Sequence, residues 1–197
     1  MTGEFDFAGG ENLPVQKMKF SDVAEIVTGS TPPTKDSENY GDFMPFVKPP
    51  DLNGYMVYDT EAHLSEKGSK LARIIPEKSI MVCCIGSLGK IGFATRDMAT
   101  NQQINTLIFD NNLVYPNYGF HYCKTIEPIL TNMAPATTLP LVNKSRFSEI
   151  EMPVPPLDEQ RRIAGILDKI LEGKKDVQIL DEKYTQAYLC MSQELLR

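Results

Sequence analysis

The chain has 197 residues, of which 42% are hydrophobic and 23% charged, and this composition predicts one globular domain of about 150 residues plus an attachment. The longest uninterrupted apolar run is Ile80–Ile85, far short of the roughly 18 residues of a membrane span, so we expect a soluble, cytoplasmic protein. The net charge of −6 argues against a sequence-independent nucleic-acid coat, which is normally basic.

Residues 1–16 have the composition of a solvated tail. From there to Leu157 the sequence alternates turn signals with short apolar runs. Phe20–Thr28 carries apolar residues at helical spacing, whereas Gly29–Gly41 consists of turn formers and predicts a loop. Strands are predicted at Met44–Val47, Ile80–Ile85, Lys90–Thr95 and Ile104–Phe109, and short helices at Leu64–Ile75 and around Tyr118–Met133, where Pro128 must kink or split the helix. The expected fold class is therefore α+β (mixed α/β), with a mixed β-sheet and short helices.

The organisation changes at Pro153–Pro156, because three prolines there form a stiff, extended connector. The predicted domains are thus 1–157 and 158–197. In the second of these, apolar residues recur at the spacing of a coiled-coil seam: Ile163, Ile166, Ile170, Val177, Leu180, Tyr184, Ala187 and Met191. A helix of this length, roughly 60 Å, cannot bury its seam on so small a domain and requires a partner helix.

No cysteine or histidine cluster predicts a metal site or a redox centre. The chain has four cysteines: Cys83, Cys84, Cys123 and Cys190. They are not spaced as CxxC, and Cys83 and Cys84 fall in the apolar run, which indicates buried structural thiols. His63 and His121 are the only histidines, and a catalytic Cys–His pair stays open as an alternative.

Three polar motifs each admit two interpretations. Gly86–Lys90 (GSLGK) lacks the Ser or Thr that follows the lysine in a phosphate loop, which favours a hairpin turn, although Lys90 could still contact a phosphate. The amides of Asn101–Gln103 can read adenine in DNA or simply satisfy turn backbone. Lys144–Arg146 is either a surface turn or a phosphate clamp.

Several segments, taken in order, resemble the DNA-specificity (S) subunits of type I restriction–modification enzymes. The most specific is Ile150–Gln160 (IEMPVPPLDEQ), which runs into Arg162–Ala164. The others are Gly29–Pro32, Pro45–Leu52, His63–Gly68, Ile85–Gly92, Asn101–Gln103 and Thr138–Asn143. The sequence departs from the family pattern in two ways: Phe46 stands where the family usually has Trp, and there is one recognition domain with one spacer helix instead of two of each.

The resemblance implies a non-catalytic specificity subunit, or half-subunit, that reads one half of a split double-stranded DNA target. It also implies no cofactor on this chain, with S-adenosylmethionine on partner methyltransferase (M) subunits and a restriction (R) subunit as a further partner. Because the seam has no internal partner, we expect a homodimer or pairing with a second specificity half through the long helix. Family members read different sequences, so no target bases follow. The residues expected to contact DNA are Thr31, Lys35, Lys48, Ser87, Lys90, Gln102, Gln103, Lys144 and Arg146.

Two other classes compete with this prediction. One is a small hydrolase or transferase that uses Cys84 or His121. The other is a coiled-coil interaction module without DNA affinity of its own.

Overall fold

The computed structural model describes residues 3–4, 14–135 and 139–173. The chain divides into two compact units, Met1–Arg161 and Arg162–Arg197. The boundary predicted from the prolines, between Leu157 and Asp158, stays a prediction.

In the described part of the first unit, twelve strands form three sheets. They are β1 (Gly3–Glu4), β2 (Pro14–Lys19), β3 (Ala24–Thr28), β4 (Tyr40–Val47), β5 (Met56–Val57), β6 (His63–Leu64), β7 (Ile74–Ile75), β8 (Ile80–Cys83), β9 (Ile91–Ala94), β10 (Met98–Thr100), β11 (Ile104–Phe109) and β12 (Glu151–Val154). The orders are β1-β2-β12, β6-β4-β10-β7 and β3-β11-β8-β9-β5. The pairs β4/β10 and β5/β9 are parallel and the other named pairs antiparallel, so the expected mixed β-sheet is confirmed.

The helices are short until the C-terminal one. They are α1 (Phe20–Val23), α2 (Glu66–Ser69), α3 (Pro116–Cys123), α4 (Glu127–Met133), α5 (Lys144–Ser148) and α6, which covers 157–173. Two 3-10 helices occupy Ser37–Asn39 and Pro49–Asp51. Pro128 does mark a split, since it lies in the first turn of α4, where a missing N–H costs nothing.

One part of the hydrophobic core lies between the four-stranded and the five-stranded sheets. One cluster of buried side chains includes Val47 and Met98 from the four-stranded sheet and Met81 and Ile104 from the five-stranded sheet. All four residues of β8 are buried, as expected for a strand covered on both faces. Burial of these apolar side chains is what holds the two sheets together.

The expected helix at Phe20–Thr28 is wrong beyond its first turn. Only Phe20–Val23 is helical, and Ala24–Thr28 pairs with β11 along its whole length, from Ala24 opposite Phe109 to Thr28 opposite Asn105. Ile26 and Val27 are β-branched, which favours a strand over a helix. Pairing with β11 also gives this segment backbone hydrogen bonds to a neighbouring strand.

Part of the predicted C-terminal helix lies within the described residues. Residues 157–173 are helical, and the side chains of Ile166 and Ile170 are 48% and 56% exposed. Ile163, the first seam position, is helical and half-buried. The last five seam positions lie outside the described residues: Val177, Leu180, Tyr184, Ala187 and Met191. The seam as an interface therefore stays a prediction.

Candidate nucleic-acid interface

One end of the five-stranded sheet collects most of the polar candidates. At this end β3 and β8 finish and β11 begins, because Thr28 is opposite Asn105 and Cys83 is opposite Ile104. Segments 29–31 and 84–90 follow β3 and β8, segment 101–103 precedes β11, and segment 139–142 lies against the 84–90 turn through a bridge between Ile85 and Leu141. We call this group of segments the loop edge.

Backbone hydrogen bonds fasten the segments of the loop edge to one another. The Gly29 N–H donates to the Ile104 carbonyl at 3.0 Å, and the Cys84 N–H donates to the Gln103 carbonyl at 2.8 Å. The Gly86 N–H donates to the Pro140 carbonyl at 2.9 Å, which ties the turn to the segment 139–142. The loop edge is therefore a fixed surface built from distant parts of the chain.

Gly29 allows two of these segments to approach closely. A Cβ at this position would lie 2.2 Å from the Asn101 carbonyl oxygen and 2.4 Å from the Thr100 carbonyl oxygen. Because both neighbours are backbone atoms, no side-chain movement could make room. The absence of a side chain at Gly29 thus lets the 29–31 segment lie directly against the backbone of Thr100 and Asn101.

Gln102 is exposed and its amide is held by Thr31. The Thr31 hydroxyl donates to Gln102 Oε1 at 2.5 Å. This contact joins two candidates 71 positions apart in sequence. The amide NH2 group of Gln102 donates no hydrogen bond to a described residue. An exposed, oriented amide of this kind can donate to a hydrogen-bond acceptor on a base edge.

Gln103 is half-buried, and the protein already occupies both ends of its amide. Gln103 Nε2 donates to the Ile85 carbonyl at 3.3 Å, and Oε1 accepts from Asn101 Nδ2 at 2.9 Å. In return, Asn101 Oδ1 accepts from the Gln103 backbone N–H at 3.1 Å. These bonds lock the 101–103 segment onto the 84–90 turn, and the expected contact of Gln103 with DNA stays a prediction.

The Gly86–Lys90 segment is the expected turn between β8 and β9. Gly86 and Gly89 have φ of 79° and 78°, which glycine adopts without strain. Ser87 and Lys90 are both exposed on this turn. A cleft of about 450 Å³ lies beside it, lined also by Glu127 and Thr131 of α4.

The other basic candidates occupy different places. Lys48 follows β4 and lies near the loop edge, because the Asn101 N–H donates to the carbonyl of the preceding Val47. Lys144 and Arg146 are on α5, which begins directly after Val142 of the loop edge. Lys35 lies farther along its loop, beyond Pro33, whose carbonyl is held by Asn39.

The five basic candidates share one electrostatic property. All are exposed, and none forms an ion pair with any residue in 14–135 or 139–173: Lys35, Lys48, Lys90, Lys144 and Arg146. Elsewhere on the surface, lysines such as Lys67 and Lys70 are bonded to carboxylates at 2.6–2.9 Å. Unpaired cations next to an amide-lined edge suit a phosphate backbone.

The buried thiols have the opposite character to that of catalytic cysteines. Cys83, Cys84 and Cys123 are free and buried. Loss of hydration raises the pKa of Cys84 to about 12 and also raises the pKa of Cys83 and Cys123. A reactive cysteine needs a lowered pKa and access to solvent. Within the described ranges, no three His, Cys, Asp or Glu side chains are grouped as metal ligands.

Comparison with known proteins decides the family. A family model described as "Type I restriction modification DNA specificity domain" matches residues 12–182. The chain belongs to this family. It is 32% identical over 175 residues to the type I restriction enzyme MjaIX specificity subunit of Methanocaldococcus jannaschii, covering 84% of this chain and 40% of that protein.

A second relative gives the same result. The chain is 33% identical over 177 residues to the type I restriction enzyme HindI specificity subunit of Haemophilus influenzae, covering 82% of this chain and 38% of the relative. The specificity domain therefore spans about two fifths of the length of these relatives.

The fold agrees with solved structures. The crystal structure of the HsdS subunit from Thermoanaerobacter tengcongensis matches with a TM-score of 0.66 at 20% identity, covering 86% of this chain and 39% of that one. The type I S subunit from M. genitalium matches with a TM-score of 0.63 at 16% identity, over 87% and 42% of the two chains. In the residues of the specificity domain that the structure describes, no helix has the length and hydropathy needed to span a membrane.

Sequence reasoning names two residues of this site only as members of motifs. Asn101 belongs to the Asn101–Gln103 motif, but its bonds to Gln103 depend on a turn that sequence does not reveal. Leu139 belongs to the Thr138–Asn143 segment of the family resemblance, and in the structure its side chain is 58% exposed on the loop edge. An exposed leucine carries no sequence signal until its polar surroundings are known.

Proposed function

We propose that this specificity domain is a non-catalytic, cytoplasmic DNA-binding unit that reads one half of a bipartite target in double-stranded DNA. The observation that carries the proposal is the loop edge itself: a rigid, amide- and hydroxyl-bearing surface flanked by cations that have no carboxylate partner in the part of the chain that the structure describes. Membership of the DNA specificity family supports the same ligand.

In this proposal the two kinds of side chain do different work. Lys48, Lys90, Lys144 and Arg146 neutralise phosphates and set the position of the domain on the duplex, while Gln102 and Ser87 face base edges. Lys35 contacts a phosphate farther along the duplex. Gln103 and Thr31 act by fixing the 101–103 segment and the Gln102 amide.

The burial of the described thiols supports a non-catalytic role. Because the pKa of Cys84 is raised to about 12, its thiolate fraction at neutral pH is negligible. The methylation and cleavage chemistry would then belong to partner M and R subunits, with S-adenosylmethionine bound by the M subunits.

The C-terminal helix would provide assembly. Its exposed Ile166 and Ile170 belong to an apolar seam that continues in the sequence to Met191. We propose that the seam pairs antiparallel with a second copy of this chain or with another specificity half, and that the paired helices dock M subunits. A twofold dimer would present identical domains to a palindromic split site.

Salt dependence of DNA binding tests the phosphate contacts. Each phosphate contact contributes about −0.9 to the slope of log K against log salt concentration on duplex DNA. Lys90→Ala and Lys144→Ala should each reduce the magnitude of the slope by about 0.9 and weaken binding to all sequences. Lys70→Ala is the matched control, because Lys70 is paired with Glu66 and should leave the slope unchanged.

Unchanged slopes for both lysine variants would place the DNA surface elsewhere on the domain. A chain that dimerises through its helix but binds no DNA at low salt, even with M subunits present, would favour the alternative of a pure interaction module.

A further inference from the structure

Two leucines of the loop edge are exposed, Leu139 and Leu141. Leu139 is 58% exposed and Leu141 is 39% exposed, on either side of Pro140. The segment that carries them is held firmly, since the Pro140 carbonyl accepts from the Gly86 N–H and the Val142 N–H donates to the Cys84 carbonyl, both at 2.9 Å. The apolar side chains are therefore presented by fixed backbone.

Leu139 lies beside the amide network of the loop edge. A Cβ built on Gly86 would be 3.5 Å from Leu139 Cδ1 and 3.9 Å from Gln103 Nε2. Because Gly86 has no side chain, the Leu139 Cδ1 methyl and the Gln103 amide border the same small space above Gly86. This juxtaposition of apolar and amide groups is continuous with the surface that includes Gln102 and Ser87.

Among the base edges of the major groove, the thymine edge alone carries a methyl group. An apolar side chain distinguishes thymine by contact with that methyl, whereas amides and hydroxyls address the neighbouring donors and acceptors. We propose that Leu139 is a specificity-determining residue that packs on the 5-methyl group of a thymine in the target. The proposal rests on the proposed function and requires that the loop edge enters the major groove.

Replacing single thymines by uracil tests this contact, because uracil lacks only the methyl. In a target selected by the unmodified chain, one uracil replacement should weaken binding about fourfold, the effect of losing one buried methyl-sized group. With Leu139→Ala, thymine and uracil at that position should bind equally. The salt slope of this variant should match that of the unmodified chain.

Tyr58→Ala provides the control. Tyr58 is 67% exposed, and it follows Val57, which pairs with Ala94 at the opposite end of the five-stranded sheet. This variant should keep the full preference for thymine over uracil. The circular dichroism spectra of both variants should be unchanged, because each substitution is at an exposed side chain.

Sequence-selective binding without a thymine-to-uracil effect at any position would overturn the assignment of Leu139 and leave the proposed function intact. Equal weakening of thymine and uracil targets by Leu139→Ala would also overturn it, and would indicate a contact with a protein partner or with the backbone. Absence of any DNA binding by the unmodified chain with M subunits would instead contradict the proposed function.

Discussion

The glutamine at the end of the Ile150–Gln160 motif has a structural role. Its side chain is fully buried, and it makes three hydrogen bonds to backbone. Nε2 donates to the carbonyls of Leu113 and Pro155 at 2.9 and 2.8 Å, and Oε1 accepts from the Tyr115 N–H at 2.8 Å. The first turn of α6 is thereby fastened to the loop that precedes α3.

Gln160→Ala should destabilise the specificity domain by about 3 kcal/mol. The substitution leaves two carbonyls and one N–H without their partner, and each buried unsatisfied group costs about 1–3 kcal/mol, reduced where water enters the space. For a domain of this size, such a loss lowers Tm by roughly 6–12 °C. Urea unfolding followed by circular dichroism gives the free energy directly, provided that the slope m is unchanged.

Gln102→Ala is the matched control, because it removes the same side chain from an exposed position with one hydrogen bond, to Thr31. It should change the free energy of unfolding by no more than about 0.5 kcal/mol. If Gln160→Ala costs less than about 1 kcal/mol, the buried bonds do not hold this junction and the reasoning is refuted.

Three further outcomes are expected. Gly29→Ala should destabilise the domain by more than about 2 kcal/mol, because its Cβ would lie 2.2 Å from a backbone oxygen. Gly165→Ala, which has open space around it on α6, should instead stabilise that helix by up to about 1 kcal/mol. Thermal unfolding distinguishes the two outcomes. In a Cys190→Ser background at pH 8, the native chain should react with an aromatic disulfide reagent only as fast as it unfolds, since burial keeps the pKa of Cys84 at about 12; rapid reaction would contradict this. Replacing Val177 and Leu180 with Asp should turn a dimer into a monomer with the domain still folded, and sedimentation that finds the unmodified chain monomeric at tens of micromolar would refute self-pairing.

The parts of the fold that sequence predicted are those with strong local signals. Ile104–Phe109 is a strand with the expected ends, and the β8–β9 turn falls where Gly86 and Gly89 allow positive φ. Leu64–Ile75 was predicted as one helix, but only Glu66–Ser69 is helical. His63–Leu64 and Ile74–Ile75 on either side are drawn into the four-stranded sheet, a long-range pairing that local spacing does not encode.

The site divides in the same way. Residue chemistry was enough to nominate Thr31, Gln102 and Gln103, but it could not separate the exposed amide from the engaged one. That distinction depends on contacts between segments about 20 to 70 positions apart, such as Gln103 with Ile85 and Thr31 with Gln102. Sequence shows which side chains carry hydrogen-bonding groups, while the fold determines which of these groups remain available to a ligand.

Selection from a random pool of duplex DNA by this chain, reconstituted with type I methyltransferase subunits, tests the central claim most directly. The account predicts enrichment of one half-site, in a split palindrome if the chain self-pairs, and loss of part of that preference with Gln102→Ala. A pool that shows no enriched sequence, despite salt-sensitive binding, would contradict recognition of DNA sequence by the loop edge.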